Sequence, residues 1–465
     1  MTIREFIEKN RGAMVSDIID LVNIPTIFSE DGGEGRPFGK EVERGLRWIL
    51  SRAAEMGMKT KDYDGYAAEI TTGGGPFMIG ILAHEDVVPA GEGWETDPFD
   101  AVVKDGAIYG RGTGDDKGPL ISSLYAMKYL LDEGKIPDGA CLRLIVGTNE
   151  EESWGGINYY KSQVDKLPDY SIVPDGYFPL IYCEKGLIDF DLRQSFTDDE
   201  TADIRLKELH GGSGRNVVAG KAYCTLECRT VSASLIEARL NAFDGITAKH
   251  DGHMVVVTAK GKSTHAMSPE KGMNAISRLM AALAQVGSTL SIGDFAEKYN
   301  RYIGSDYHGG RFGCQFEDEL SGKTTFNIGT LRCEDGEIVL EANLRYPASM
   351  EKETVIKAID RTCRQSGFIF EQKDYLPPVY TRPDSDFVQK LMEVYQRVTG
   401  DTEHDAFAIG GATYARAIPN AVAFGPLFPY EEELAHEANE FLSIDSLDKM
   451  TEIFAEGLAA LLEMK

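Results

Sequence analysis

No apolar run in this 465-residue chain approaches the roughly 20 residues that a bilayer-spanning helix needs, so no transmembrane segment is expected. Cysteine is sparse: seven thiols, an odd number at scattered spacings, make no disulfide framework. Cys224 and Cys228 have no second pair to complete a structural zinc site. A reducing cytoplasm is therefore the expected compartment. Positive charge is short as well, with 48 Lys and Arg against 75 Asp and Glu. The resulting formal charge of −27 argues against nucleic acid or an anionic membrane as partner. A signal peptide is not expected either, because MTIREFIEKNRGAMVSDIIDLV sets charges among apolar residues at helical spacing and reads as an amphipathic helix.

What is present is the composition of an ordinary globular protein, 42% hydrophobic and 26% charged, in a chain too long for one compact core. Two domains are the expectation. Phe77 to Ala83 reads as a buried strand and ends on His84, Glu85 and Asp86. A histidine with a carboxylate two residues on has the pattern of a metal ligand whose tautomer is fixed by its neighbour. After an irregular stretch from Val87 to Asp105 come Asp115 and Asp116, just ahead of a helical pattern from Pro119 to Leu131. Leu142 to Val146 ends in Gly147, Thr148, Asn149 and then Glu150, Glu151 and Glu152, while Ser171 to Val173 ends on Asp175.

Taken singly, these signals are ambiguous. A lone histidine after a strand is more often structural than a ligand, and Asp-Asp or a glutamate run is more often a solvated turn than a site. Their recurrence at strand ends places His84, Asp115, Glu150, Glu151 and Asp175 along one edge of a sheet, where several carboxylates and an imidazole suit a dication.

From Lys185 the texture changes to short alternating runs, among them Leu187 to Leu192, Ala222 to Glu227 and Ile338 to Leu344, interleaved with helical patterns. That is an α+β arrangement, closed by a proline-rich crossing from Tyr375 to Pro383. Ser385 to Thr399 is helical by pattern, and Gly410 and Gly411 form a turn that admits close backbone approach. His436 lies in a loop with Glu437 and Glu440, before a last helix that Asp445 is expected to cap. The fold class is thus α/β with an inserted α+β domain, divided as 1–184 with 385–465 and 185–384 between them.

The runs HEDVVPAGEGW (84–94), YGRGTGDDKG (109–118), GTNEEES (147–153), PDGYFP (174–179) and AHEANE (435–440) occur in the order seen in the M20 metallopeptidase family, and the chain most resembles its peptidase V type of dipeptidase. The resemblance implies a mixed-sheet catalytic domain holding two Zn²⁺ ions, with Mn²⁺ or Co²⁺ as substitutes. His84 and Asp175 would bind one metal, Glu151 and His436 the other, and Asp115 would bridge both. It further implies a cis peptide between Asp115 and Asp116, an orienting role for Asp86 on His84, and Glu150 as general base. Asn149 stands where the family often has aspartate, and Glu152 offers a third acid, so the glutamate roles admit a one-residue shift.

In the insertion, STHAMSPEKGMNA (263–275) resembles the family's lid motif, which makes His265 the residue that stabilises the oxyanion. Asn216, in RNVVAG, and Arg345, in ANLRYP, fall where the peptidase V type contacts substrate, and Gly410 and Gly411, in IGGATYAR, would add backbone donors. An insertion of this length resembles the doubled, ferredoxin-like lid of monomeric dipeptidases, so a monomer acting on small peptides is expected. The alternatives are an N-acyl or N-carbamoyl amino-acid amidohydrolase using the same metals, and an inactive peptide-binding protein of the same fold. The last predicts loss of the base or of a ligand, whereas Glu150 and all five ligand positions are filled.

Overall fold

The first helix, Ile3–Val22, begins where its sequence supplies a start signal. Thr2 accepts the Glu5 amide through its hydroxyl, and the Glu5 carboxylate accepts the Thr2 amide at 2.8 Å. Two of the amides that every helix start leaves without partners are thereby satisfied. In this computed structural model, which describes every residue except Asp198 and Ser288, the chain divides into two compact units. One comprises Met1–Tyr182, Thr381–Phe407 and Ala412–Lys465, the other Cys183–Tyr380 and Ala408–Gly411. The assignment of Ala408–Gly411 to the second unit differs from the sequence expectation: the Lys185 amide donates to the Ile409 carbonyl, and Arg345 Nη1 to that of Gly410.

The first unit is organised by a mixed sheet. Strand Phe77–His84 lies parallel to Ala140–Gly147 on one side and to Tyr170–Val173 on the other, and Ala421–Ala423 runs parallel to Tyr170–Val173. Parallel neighbours end on the same side, so His84, paired in register with Gly147, and the residues after Gly147 and Val173 emerge together. That edge is where an open α/β sheet presents its ligand loops. The strand Phe77–His84 is buried almost throughout, which is why it reads as a continuous apolar run.

Behind the sheet, helix Lys117–Asp132 is apolar nearly all round and accordingly buried. Its Ser122 hydroxyl meets the Thr451 hydroxyl of helix Ile444–Leu462 at 2.8 Å. An aromatic cluster centred on Phe178 packs Tyr395, Phe424, Phe428 and Phe454 into the same core.

Three local expectations need correction. The last helix is capped by Ser443, whose extended backbone lets its hydroxyl accept the Ser446 amide at 3.0 Å; Asp445 sits inside the first turn. The supposedly irregular stretch ends in strand Val102–Lys104, paired with Ala107–Tyr109. An antiparallel hairpin, Lys59–Tyr63 with Ala67–Gly73, went unrecognised although its Asp64-Gly65 turn, with both φ positive, is a known hairpin signal. Its first strand is exposed at four of five positions and so carries no apolar alternation.

The second unit is an eight-stranded antiparallel sheet. Strands Ile246–Asp251, Met254–Lys260, Lys221–Cys228 and Ile204–Gly211 form one half, and Thr325–Glu334, Glu337–Tyr346, Gly186–Ser195 and Ile369–Leu376 the other. The halves join through His210 and Gly211 against Arg332 and Leu331. Every second residue of Lys221–Cys228 is buried, as expected when one face of an antiparallel sheet is covered and the other is wet. Its core, from Ile188 to Phe368, is separate from that of the first unit. Among the described residues, no disulfide joins any of the seven cysteines. Among the described residues, no helix is long and apolar enough to cross a membrane.

Candidate metal centre

Five side chains from separate segments of the first unit meet at the sheet edge in two groups. His84, Asp115 and Asp175 form one and Asp115, Glu151 and His436 the other, with the potential ligand atoms of each group within 4.8 Å of one another. Asp115 belongs to both. Its Oδ1 lies 3.1 Å from His84 Nε2, and its Oδ2 lies 3.1 Å from His436 Nε2. A carboxylate facing two imidazoles through different oxygens has the geometry of a bridging ligand. Asp175 Oδ2 stands 3.9 Å from His84 Nε2, and Glu151 Oε2 stands 3.1 Å from His436 Nε2.

The supporting contacts explain how the backbone delivers these groups. His84 is wholly buried, and its Nδ1 meets the Asp86 carbonyl at 3.0 Å, which leaves Nε2 directed at the acids. Orientation therefore comes chiefly through the Asp86 backbone, since the Asp86 carboxylate stands farther off at 3.6 Å. That carboxylate instead organises the glutamate loop, its two oxygens accepting the amides of Glu150 at 3.0 Å and Glu151 at 3.1 Å. Asn149 turns the same loop, its Oδ1 accepting from the Ser153 hydroxyl and amide and from the Gly155 amide. An amide oxygen serves there as well as a carboxylate would. Glu152 is exposed and belongs to neither group. The Asp115–Asp116 peptide is cis, as the resemblance implies.

The electrostatics are those of a cation site. Burial lowers the His84 imidazole, but Asp115 and Asp86 outweigh it and hold its pKa well above the ordinary value. Contacts to Asp115 and Glu151 raise His436 to about 11. Burial pushes Asp115 up, yet His436 and His84 prevail and hold it below the usual carboxylate range. Burial and then Asp115 raise Asp175 to about 7, and burial and then Asp175 push Glu150 well up. Crowded acids that resist joint ionisation and hold neighbouring imidazoles protonated draw positive charge.

The residues fit a pair of divalent ions. His84 Nε2 is buried without a hydrogen bond, as a nitrogen reserved for a metal would be. Two imidazoles and three carboxylates are a donor set suited to zinc and its neighbours.

The other predicted residues lie in the second unit. Asn216 and His265 are exposed in adjoining loops, joined by a bridge between Val217 and His265 and by the Ala266 amide donating to the Asn216 carbonyl at 2.8 Å. Arg345 is buried; its Nε donates to Asn343 Oδ1 at 3.0 Å and its Nη1 to the Gly410 carbonyl at 2.7 Å. Gly411 packs against Met267 and Ile409.

One contributor escaped the sequence reading. Tyr414 is fully buried, edge-on to the His84 ring at 6.2 Å between centroids and against Trp154 at 5.5 Å. An aromatic inside the glycine-rich IGGATYAR run was the available signal.

The family model described as Peptidase family M20/M25/M40 matches residues 80–460. The chain is 33% identical over 454 residues to the Bacillus subtilis protein named "Putative dipeptidase YtjP", covering 96% of each. It is 32% identical over 467 residues to a "Putative dipeptidase" of Staphylococcus epidermidis, covering 98% of this chain and 99% of that protein. Among solved structures, human carnosine dipeptidase 1 superposes with a TM-score of 0.60 at 14% identity, over 99% of this chain and 98% of that one. Aminoacylhistidine dipeptidase from Vibrio alginolyticus does so with a TM-score of 0.60 at 17% identity, over 97% and 96%. At such identities the structures speak for the fold, whereas the family match and the full-length relatives speak for descent: the chain belongs to peptidase family M20/M25/M40 and is a metallopeptidase.

Proposed function

We propose that the protein is a zinc-dependent dipeptidase of the peptidase V type, cleaving dipeptides that carry a free amine and a free carboxylate. The observation that carries this reading is Asp115, whose two oxygens each stand 3.1 Å from a different histidine. The dipeptidase names of the full-length relatives support the substrate class. His84, Asp115 and Asp175 would hold one zinc ion, and Asp115, Glu151 and His436 the other. When bound, such a pair polarises the scissile carbonyl and activates the attacking water.

The chain's own groups do the rest. Glu151 is engaged with His436, while its neighbour Glu150 is the group that takes the proton of the attacking water and returns it to the leaving amine. Asp86 fixes both by holding their amides. In the second unit, His265 stabilises the developing oxyanion, and Arg345 pairs with the substrate carboxylate, aided by Asn216 and by Gly410 and Gly411. The protein works as a cytoplasmic monomer: cysteines without a disulfide framework suit a reducing compartment, and the length of the inserted segment suits a monomer.

The test is to strip the protein with chelator, restore zinc and compare free dipeptides with N-acetyl and N-carbamoyl amino acids. Zinc-dependent turnover of the dipeptides is expected. Turnover confined to the acylated compounds contradicts the dipeptidase reading, and a stable dimer in sedimentation contradicts the monomer.

A further inference from the structure

Two of the ligand segments are joined before they reach the metal centre. Strand Ala107–Tyr109 pairs antiparallel with Phe441–Ser443, and the Gly110 amide extends that pairing to the Glu440 carbonyl at 3.1 Å. One segment continues to Asp115, and the other arrives from His436. Past Gly110 the ladder stops, and a side chain takes over. Glu440, only 1% exposed, lays its carboxylate along the turn that leads to Asp115. Its Oε1 accepts the amides of Gly112 at 3.1 Å, Gly114 at 2.8 Å and Asp115 at 3.2 Å. Its Oε2 accepts the Gly112 amide at 3.0 Å and Arg111 Nη1 at 2.7 Å. Arg111 is itself buried, and its Nη2 reaches the Ala90 carbonyl at 3.2 Å, in the loop that follows His84 and Asp86.

A buried charge with one partner is a costly fold element, but one that accepts from three backbone amides and a guanidinium is a fixed frame. Gly112 bends the turn with φ +89°, a conformation that a side chain would strain, so the amides can converge on one carboxylate. Among the described residues, the hydrogen bonds of the Glu440 side chain go to Arg111 and to backbone amides and not to a ligand side chain. What it fixes is the register of the Asp115 turn against the segment that carries His436.

We propose that Glu440 is a positioning residue that sets metal affinity by locking the bridging aspartate to the loop of His436, with Arg111 tying the same frame to the loop after His84. This rests on the ligand assignment above. The partners demand a carboxylate: in Glu440→Gln an oxygen at the Oε1 position keeps the three amides, and the new NH₂ group is turned against the donors Arg111 Nη1 and the Gly112 amide. Groups that orient metal ligands from behind typically change metal affinity by about 10 to 100-fold when altered.

The experiment titrates zinc into the demetallised full-length protein against a chromophoric chelator, for wild type, Glu440→Gln and Glu440→Asp, with circular dichroism melts of each apo protein. Expected are two tight equivalents in wild type and a loss of affinity of about 10 to 100-fold in Glu440→Gln, with the apo protein folded at the assay temperature and turnover recovering as zinc is raised. Glu440→Asp, which keeps the charge but not the reach, should fall between them, and it decides by the same criteria if Glu440→Gln does not fold. Wild-type affinity in a folded variant overturns the positioning role, as does lost turnover that saturating zinc does not restore. Wild type failing to bind two equivalents overturns the ligand assignment itself, so the two failures are told apart.

Discussion

The first unit gathers unlike charges that want a cation; the second carries a buried cationic side chain suited to an anion. At the sheet edge, three carboxylates and two histidines are drawn from five segments into two overlapping groups, and their mutual repulsions and attractions shift the protons of the group. In the other unit, buried Arg345 donates from Nε to the Asn343 side chain and from Nη1 to the Gly410 carbonyl. Under the proposed function, the difference separates chemistry from recognition. Changes in the first unit should act on kcat and on bound metal, and changes around Arg345 on KM.

The sharpest way to break this comparison is Glu150→Gln. The amide keeps shape and cannot shuttle a proton, so kcat should fall by roughly 10² to 10⁴ while two zinc ions remain bound by elemental analysis. A variant of near-normal rate would remove Glu150 from the mechanism. Arg345→Met comes next. Losing a charged hydrogen bond worth about 1.5 to 3 kcal/mol should raise KM roughly 10 to 100-fold with kcat little changed, as steady-state kinetics on a dipeptide will read. A fall in kcat with KM intact would erase the distinction between the two regions.

Asn343→Ala should have a smaller effect of the same kind. It takes the acceptor from Arg345 Nε and the donor from Asp189, 2.7 Å away, at a cost of about 1 to 3 kcal/mol in urea unfolding, with a rise in KM below that of Arg345→Met. Glu152→Gln should do least. The side chain is exposed and outside both ligand groups, so kinetics and zinc content should match wild type; a large loss would move the glutamate roles by one residue.

How much was legible follows the same division. The ligand positions stand at the ends of short apolar strands or beside them, and each strand end marks itself with a polar residue that a buried edge would not otherwise tolerate. His84 and Asp175 are visible for that reason, and the resemblance supplied the pairing. Asp86 was visible as the neighbour of His84, which it meets through its carbonyl and, at 3.6 Å, its carboxylate, but its second task was not, because its oxygens reach across to the amides of Glu150 and Glu151. Glu440 was seen only as a loop acid, since its partners lie more than 300 positions away along the chain. The cap of the last helix was misread because Ser443 and Asp445 are both competent caps, and the choice is made by strand Phe441–Ser443 ending just before it. In the second unit nothing local singles out Asn216 or Arg345 among similar residues, so only the resemblance pointed to them.

The central claim is most directly tested by crystallising the zinc-loaded protein and locating the metals by anomalous scattering at the zinc edge. The account predicts two ions per chain that share Asp115, one also held by His84 and Asp175 and the other by Glu151 and His436. A single ion, or two ions with no carboxylate in common, would contradict it.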